Sequence, residues 1–267
     1  MEVSLKLNKS VEQNAESYFE KGKKYKKKIP GIKKTIEKYQ DKMQELEKGL
    51  FDYNESVKKE SRVVRKKEWF DKFRWFYSSD GFFVIAGRDA TTNDIIIKKY
   101  TMDNDVVFHT ELAGSPFVII KNPDNKVIPQ DTIKEAAEFC ASFSKSWKSG
   151  RGTAEVYHIK PEQVSKQAPS GMAALAKGSF MINGKRNYID AMLNIAICTY
   201  ESKIMSGPLS AVKKYRIASK QPYVEIIPGN DKLSDVAKKV QKIVGGELDE
   251  IIRALPSECT INKRKNG

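Results

Sequence analysis

Apolar side chains recur along the first fifty residues with a helical repeat. From Val11 they fall at Ala15, Tyr18, Gly22, Tyr25, Ile29, Ile32, Ile36, Tyr39, Met43, Leu46 and Leu50, in alternating steps of four and three. Steps of that kind draw a single stripe along a helix, the a/d seam of a coiled coil, and the faces beside it are rich in Lys and Glu. Pro30-Gly31 lies inside the seam. Proline has no backbone N–H and clashes with the preceding turn, which leaves two arrangements: one kinked helix, or a helical hairpin whose second helix starts on Pro30. The hairpin is the expectation, because a lone helix exposes its stripe unless another chain covers it by coiled-coil self-association. Residues 1–55 are therefore assigned to the coiled coil and 56–67 (SVKKESRVVRKK) to a basic connector.

The pattern changes at Glu68. An aromatic run, Trp69 to Phe76, ends in a Ser-Ser-Asp-Gly turn. Strand-like segments follow at Phe82–Ala86, Asp94–Tyr100, Val106–His109 and Phe117–Lys121, separated by Gly, Asn and Asp. Asp131 to Lys148 has a helical spacing, with Asp131 as its expected cap. Further strands are expected at Ala154–Ile159, Gly178–Ile182, Ile195–Tyr200 and Tyr223–Ile227, and short helices at Lys232–Ile243 and Leu248–Ala254. Strands clustered early, with helices interspersed irregularly, predict an α+β domain over 68–256 and a polar basic tail over 257–267.

Charge adds a partner to this picture. Forty-eight Lys and Arg against 34 Asp and Glu give +14, and residues 1–68 alone hold 19 basic and 12 acidic side chains. Self-repulsion of that size does nothing for compaction, so the excess points to a polyanion such as RNA. Cys140, Cys198 and Cys259 are widely spaced and form no C-x-x-C pair, which indicates neither a zinc site nor a disulfide framework. No apolar run reaches ~18 residues and no signal-peptide core opens the chain, so a cytoplasmic protein without a membrane contact is expected.

Catalytic signatures are missing: no P-loop, dinucleotide glycine fingerprint, G-x-S-x-G or H-E-x-x-H is present. Asp89, His109 and Glu111 are the residues a metal-dependent RNA-processing enzyme would use, but without a characteristic spacing. An interaction scaffold working through its coiled coil is a further alternative. Basic clusters beside aromatics offer more: Lys98-Lys99-Tyr100 at a strand end, Lys185-Arg186-Asn187-Tyr188 after an expected Asn183-Gly184 hairpin turn, and Lys213-Lys214-Tyr215 on an expected helix after Gly207-Pro208. Such pairs suit phosphate contact plus base stacking. The expectation is an RNA-binding protein, not an enzyme, with no cofactor and no metal.

The segment from Lys67-Glu68-Trp69-Phe70 through Ser78-Ser79-Asp80-Gly81 to Gly87-Arg88-Asp89-Ala90 resembles the opening of an NFACT-R domain. The resemblance continues in Thr92-Asn93-Asp94, His109, Gly114, Gln163-Val164-Ser165-Lys166, Ala168-Pro169-Ser170-Gly171, Gly178-Ser179-Phe180-Met181-Ile182, Gly184-Lys185-Arg186-Asn187, Gly207-Pro208 and Ala254-Leu255-Pro256, with an archaeal-like pattern. It implies an NFACT-family factor of ribosome-associated quality control. Such a factor binds tRNA and the large ribosomal subunit holding an obstructed peptidyl-tRNA, and supports template-free C-terminal tailing. The family's N-terminal NFACT domain is not in this sequence, which leaves a fragment, a split gene or a stand-alone paralogue open; in the split case the resemblance implies a separate N-terminal NFACT domain protein as a further partner. It adds Arg88, His109 and Lys166 to the RNA-binding candidates Lys98, Lys99, Lys185, Arg186, Lys213 and Lys214.

Overall fold

The computed structural model describes residues 4–59, 68–112, 114–150, 152–167 and 175–262, with side chains placed outside 45–59. The side chains of seam positions Leu46 and Leu50, connector residues 60–67, the Ala168-Pro169-Ser170-Gly171 segment and the end of the basic tail lie outside what is described. The chain forms two compact units, Met1–Lys66 and Lys67–Gly267.

In the first unit, helix α1 runs Val11–Lys59. Ser10 opens it: its Oγ accepts from Gln13 N at 3.2 Å, and Gln13 Oε1 accepts from Ser10 N at 3.1 Å, a reciprocal cap for two otherwise unpaired donors. Asn14 is buried. Its Oδ1 accepts from Lys6 N at 2.9 Å and its Nδ2 donates to the carbonyls of Lys6, Lys9 and Ser10, which holds residues 6–10 on the first turn. The expected hairpin does not form, because α1 continues through Pro30 as one helix. An interior proline costs about 3 kcal/mol and frees one carbonyl, but the turns around Pro30 are exposed, which leaves that group accessible to solvent. Seam residues Val11, Tyr18, Tyr25, Ile29, Ile32, Ile36, Tyr39 and Met43 all stand exposed.

The second unit is α+β and built on antiparallel pairing. Its first half contains β1 (Arg74–Tyr77), β2 (Phe83–Ala86), α2 (Ala90–Tyr100), β3 (Val106–Thr110), β4 (Val118–Ile120), α3 (Gln130–Ser142), α4 (Lys145–Lys148) and β5 (Thr153–Ile159). Its second half contains β6 (Val164–Ser165), β7 (Met181–Ile182), β8 (Asn187–Met192), β9 (Ile195–Tyr200), β10 (Lys203–Gly207), α5 (Leu209–Ser219), β11 (Tyr223–Pro228), α6 (Leu233–Val244), α7 (Leu248–Ala254) and β12 (Cys259–Ile261). One sheet has the order β1-β2-β4-β3-β5-β8, a second β10-β9-β11-β12, and β6 pairs only with β7. Helix α3 packs on β3, β4, β5 and β8; α6 packs on β9, β11 and β12. Small residues Ala136, Ala137, Cys140 and Ala141 let α3 lie close, and both sheets share one core around Phe76, Phe108, Phe139, Trp147, Ile197 and Met205. In α6 the buried Val236, Ala237, Val240 and Val244 form one stripe while Lys238, Lys239 and Lys242 face water.

Several expectations change. Asp94–Tyr100 is not a strand but most of α2: Asp89 Oδ1 accepts from Thr92 N at 2.8 Å and Thr92 Oγ1 from Asp89 N at 2.9 Å, a capping box that overrides the β-propensity of Ile95-Ile96-Ile97. Lys98 and Lys99 therefore end a helix. Only Met181–Ile182 of the expected Gly178–Ile182 strand pairs. Asn183-Gly184 does not make a hairpin, because β7 pairs with β6 whereas β8 pairs with β5. Pro129, not Asp131, occupies the N-cap of α3. The fold also extends past Pro256, with β12 completing the second sheet inside the expected tail.

Candidate nucleic-acid interface

The loop between β2 and α2, the ends of β3 and β8, and the segment before β7 enclose a cavity of about 440 Å³. Three of the nine sequence-derived candidates, Arg88, His109 and Arg186, line it. Two glycines shape its wall. A Cβ on Gly87 would meet Asn93 Oδ1 at 1.9 Å, and Gly178, at φ +79, would carry a Cβ 2.6 Å from Ala90 Cα. Gly178 N donates to Asp94 Oδ1 at 2.9 Å, clamping residues distant in sequence onto α2.

Acidic groups near the cavity are occupied. Glu111 accepts from Tyr188 Oη at 2.7 Å and from Arg186, and these bonds, Tyr188 first, hold its carboxyl below the usual range. Arg186 also lies 5.0 Å from the Tyr157 ring. Asp89 is turned to the start of α2, and its bond with the Thr92 backbone lowers its pKa. His109 Nδ1 lies 2.6 Å from Thr110 O and Nε2 3.2 Å from Ser115 O; burial, against those carbonyls, pushes its pKa down. Asp89, His109 and Glu111 thus each serve a separate local role. Among the described residues, no group of three or more His, Cys, Asp and Glu is placed to hold a metal ion.

The other candidates lie elsewhere. Lys166 is a half-buried strut: its Nζ donates to Asp94 Oδ1 at 3.1 Å, Ala176 O at 3.0 Å and Ser179 O at 2.8 Å, and sits 4.5 Å over the Phe180 ring. Lys98 pairs with Asp94 at 3.2 Å one turn away, and Lys99 is exposed beside it. Lys185 is exposed on a turn that Gln163 Nε2 holds by donating to Asn183 O and Lys185 O. Lys213, on α5, lies 3.7 Å from Glu225 on β11. Lys214, 4.0 Å from Asp80, edges a second cavity of about 350 Å³ with Tyr77, Tyr200 and Tyr215. The rings of Tyr77 and Tyr200 stack there at 5.0 Å.

Sequence reasoning missed Arg74, Lys177, Phe117 and Phe180, which also line the first cavity. The signal for Arg74 was one cationic residue inside an aromatic run. Arg74 stacks 4.3 Å from the Phe143 ring, and burial followed by the charge of Arg88 pushes its pKa down to about 10.

Comparison with known proteins fits this picture. The family described as NFACT protein RNA binding domain matches residues 72–184. The archaeal Rqc2 homolog aRqcH of Methanocaldococcus jannaschii is 38% identical over 218 residues, 78% of this chain and 31% of that protein. The ribosome quality control complex subunit NEMF homolog of Drosophila melanogaster is 40% identical over 159 residues, 59% of this chain and 16% of that protein. Human ribosome quality control complex subunit NEMF is 36% identical over 178 residues, 66% of this chain and 16% of that protein. The chain spans less than a third of the length of each of these relatives. It carries an NFACT-R domain and is homologous to archaeal aRqcH and to the NEMF and Rqc2 proteins over the C-terminal part of their length.

Proposed function

We propose that this chain is the RNA-contacting part of a ribosome-associated quality-control factor. It binds tRNA and the large ribosomal subunit holding an obstructed peptidyl-tRNA, in the cytoplasm, and supports template-free C-terminal tailing together with an N-terminal NFACT domain. The observation that carries this reading is the homology to aRqcH and NEMF across a domain described as RNA-binding. The +14 charge supports it, since neutralised phosphates release counterions. So do the exposed Lys99 and Lys185, which are available to phosphates at little cost. In this role the protein binds and positions while the ribosome performs peptide transfer, so no catalytic group is required of the chain.

Co-sedimentation tests the proposal. The purified chain is mixed with large subunits bearing peptidyl-tRNA and spun through a cushion at increasing salt. Salt-sensitive association, stronger than with empty subunits, is expected. Equal recovery from both, or none at low salt, overturns the reading.

A further inference from the structure

Arg74 is an exception to the way this fold treats its charges. Among the described residues its Nε is sealed from solvent without a hydrogen-bond partner, and its one hydrogen bond is a long one, from Nη1 to Gly87 O at 3.4 Å. Among the described residues neither Arg74 nor Arg88 forms a salt bridge, whereas Lys98, Lys121, Lys166, Arg186 and Lys203 each reach a carboxylate. Arg88 faces the same cavity and feels a third cation, Arg253, and the Asp89 carboxylate offsets only part of this charge on Arg74 and Arg88. A half-buried guanidinium with a sealed Nε and no salt bridge, set beside like charge, opposes folding, and proteins retain such groups where a ligand supplies the counter-charge.

The cavity has further properties of a binding site. Its volume of about 440 Å³ suits a small ligand. Phe117 and Phe180 meet edge-to-face at 5.3 Å, with His109 4.4 Å from Phe117, which gives one side an aromatic wall. Lys177 stands exposed at the rim. Asp89 already caps α2, so the arginines and not the helix end would hold an anion here. Two guanidiniums beside one space match the several oxygens and higher charge of a phosphate better than the two oxygens of a carboxylate.

We propose that this cavity is a single-nucleotide site, in which Arg74 and Arg88 bind one phosphate and the aromatic wall receives its base. The proposal rests on the RNA-binding reading for the source of the nucleotide, an RNA strand end or an unpaired residue splayed from a loop. Free nucleotide is the other source of the same chemistry.

The test uses the full chain and calorimetric titration with AMP, UMP, adenosine, inorganic phosphate, and a short single-stranded RNA with and without a 5′-phosphate. Nucleoside monophosphates are expected to bind at least tenfold more tightly than adenosine or inorganic phosphate. The phosphorylated RNA is expected to bind more tightly still; AMP tighter than any RNA would assign the site to free nucleotide. Arg74→Met should weaken AMP at least tenfold with an unchanged or higher thermal midpoint, because it removes a half-buried charge that has no salt bridge and keeps an apolar contact with Phe143. Arg88→Gln serves as a second variant should Arg74→Met not fold, while Lys213→Ala/Lys214→Ala should leave AMP binding intact. Inorganic phosphate binding as well as AMP overturns the nucleotide assignment, and an acidic peptide competing equally makes the cavity a protein-binding site. AMP affinity unaffected in both arginine variants overturns the location. Co-sedimentation separates the two proposals: subunit association without mononucleotide binding sinks this one alone, and mononucleotide binding without subunit association sinks the functional reading alone.

Discussion

Gly178→Ala tests how the cavity is built. At φ +79 an alanine takes on left-handed strain of about 1–2 kcal/mol. Its Cβ would also sit 2.6 Å from Ala90 Cα and 2.7 Å from Ala90 Cβ, atoms of the first turn of α2 that no side-chain rotation can move away. Overpacking of this kind costs a further ~1–3 kcal/mol. The total is bounded by a cheaper escape, in which residues 176–180 lift from α2. That movement gives up Gly178 N to Asp94 Oδ1 and the Lys166 bonds to Ala176 O and Ser179 O, and it unroofs the cavity. The expected loss is therefore about 2–4 kcal/mol by urea unfolding. Gly81→Ala provides the control, since Gly81 has φ +84 with nothing within 4 Å of its Cβ and should cost only the backbone strain. If the two substitutions cost the same, the contact with Ala90 does not hold the segment and the account of the cavity wall is wrong.

Other consequences are open to measurement. Burial pushes the Cys198 and Cys259 thiols up to about 12, and that of Cys140 higher still, so native protein should resist a thiol reagent at pH 8 and release three equivalents in denaturant; fast native labelling contradicts the packing. Burial raises Glu135 and Glu138, so the folded state holds their protons more firmly than the unfolded one, and their contribution falls as pH climbs above about 4.5. The stability of wild type minus that of Glu135→Gln should thus decline with rising pH through that window; a difference that rises instead reverses the assignment. Asn14→Ala should cost about 1–3 kcal/mol in the first unit and free the Lys6 amide to exchange; a Lys6 amide still protected in the variant refutes that role.

Local signals were read well where one face of an element meets the core. Strand Ile195–Tyr200 and helix Leu248–Ala254 are legible to the residue, and the α+β class follows from their arrangement. Elements whose fate depends on a cap or a distant partner were not. Ile95-Ile96-Ile97 reads as strand until Asp89 and Thr92 cap the turn before it, and the exposed turns around Pro30 let a helix continue where composition favours a break. The cavity is assembled from β1, the loop before α2, β3 and residues 177–182, so spacing along the chain carries no trace of it. Lys166 illustrates the same limit: the family resemblance implies an RNA contact, while three-dimensional packing engages it with Asp94.

Salt dependence of RNA binding tests the central claim most directly. Each phosphate neutralised on single-stranded RNA contributes about −0.7 to the slope of log K against log salt, so three to five contacts predict about −2 to −4. Because Arg186 is already paired with Glu111, most of the change in Lys185→Ala/Arg186→Ala should come from Lys185, a loss of about 0.7. The wild-type chain titrated with single-stranded RNA from low to high salt should give the steep negative slope. A slope near zero would contradict an RNA-facing domain.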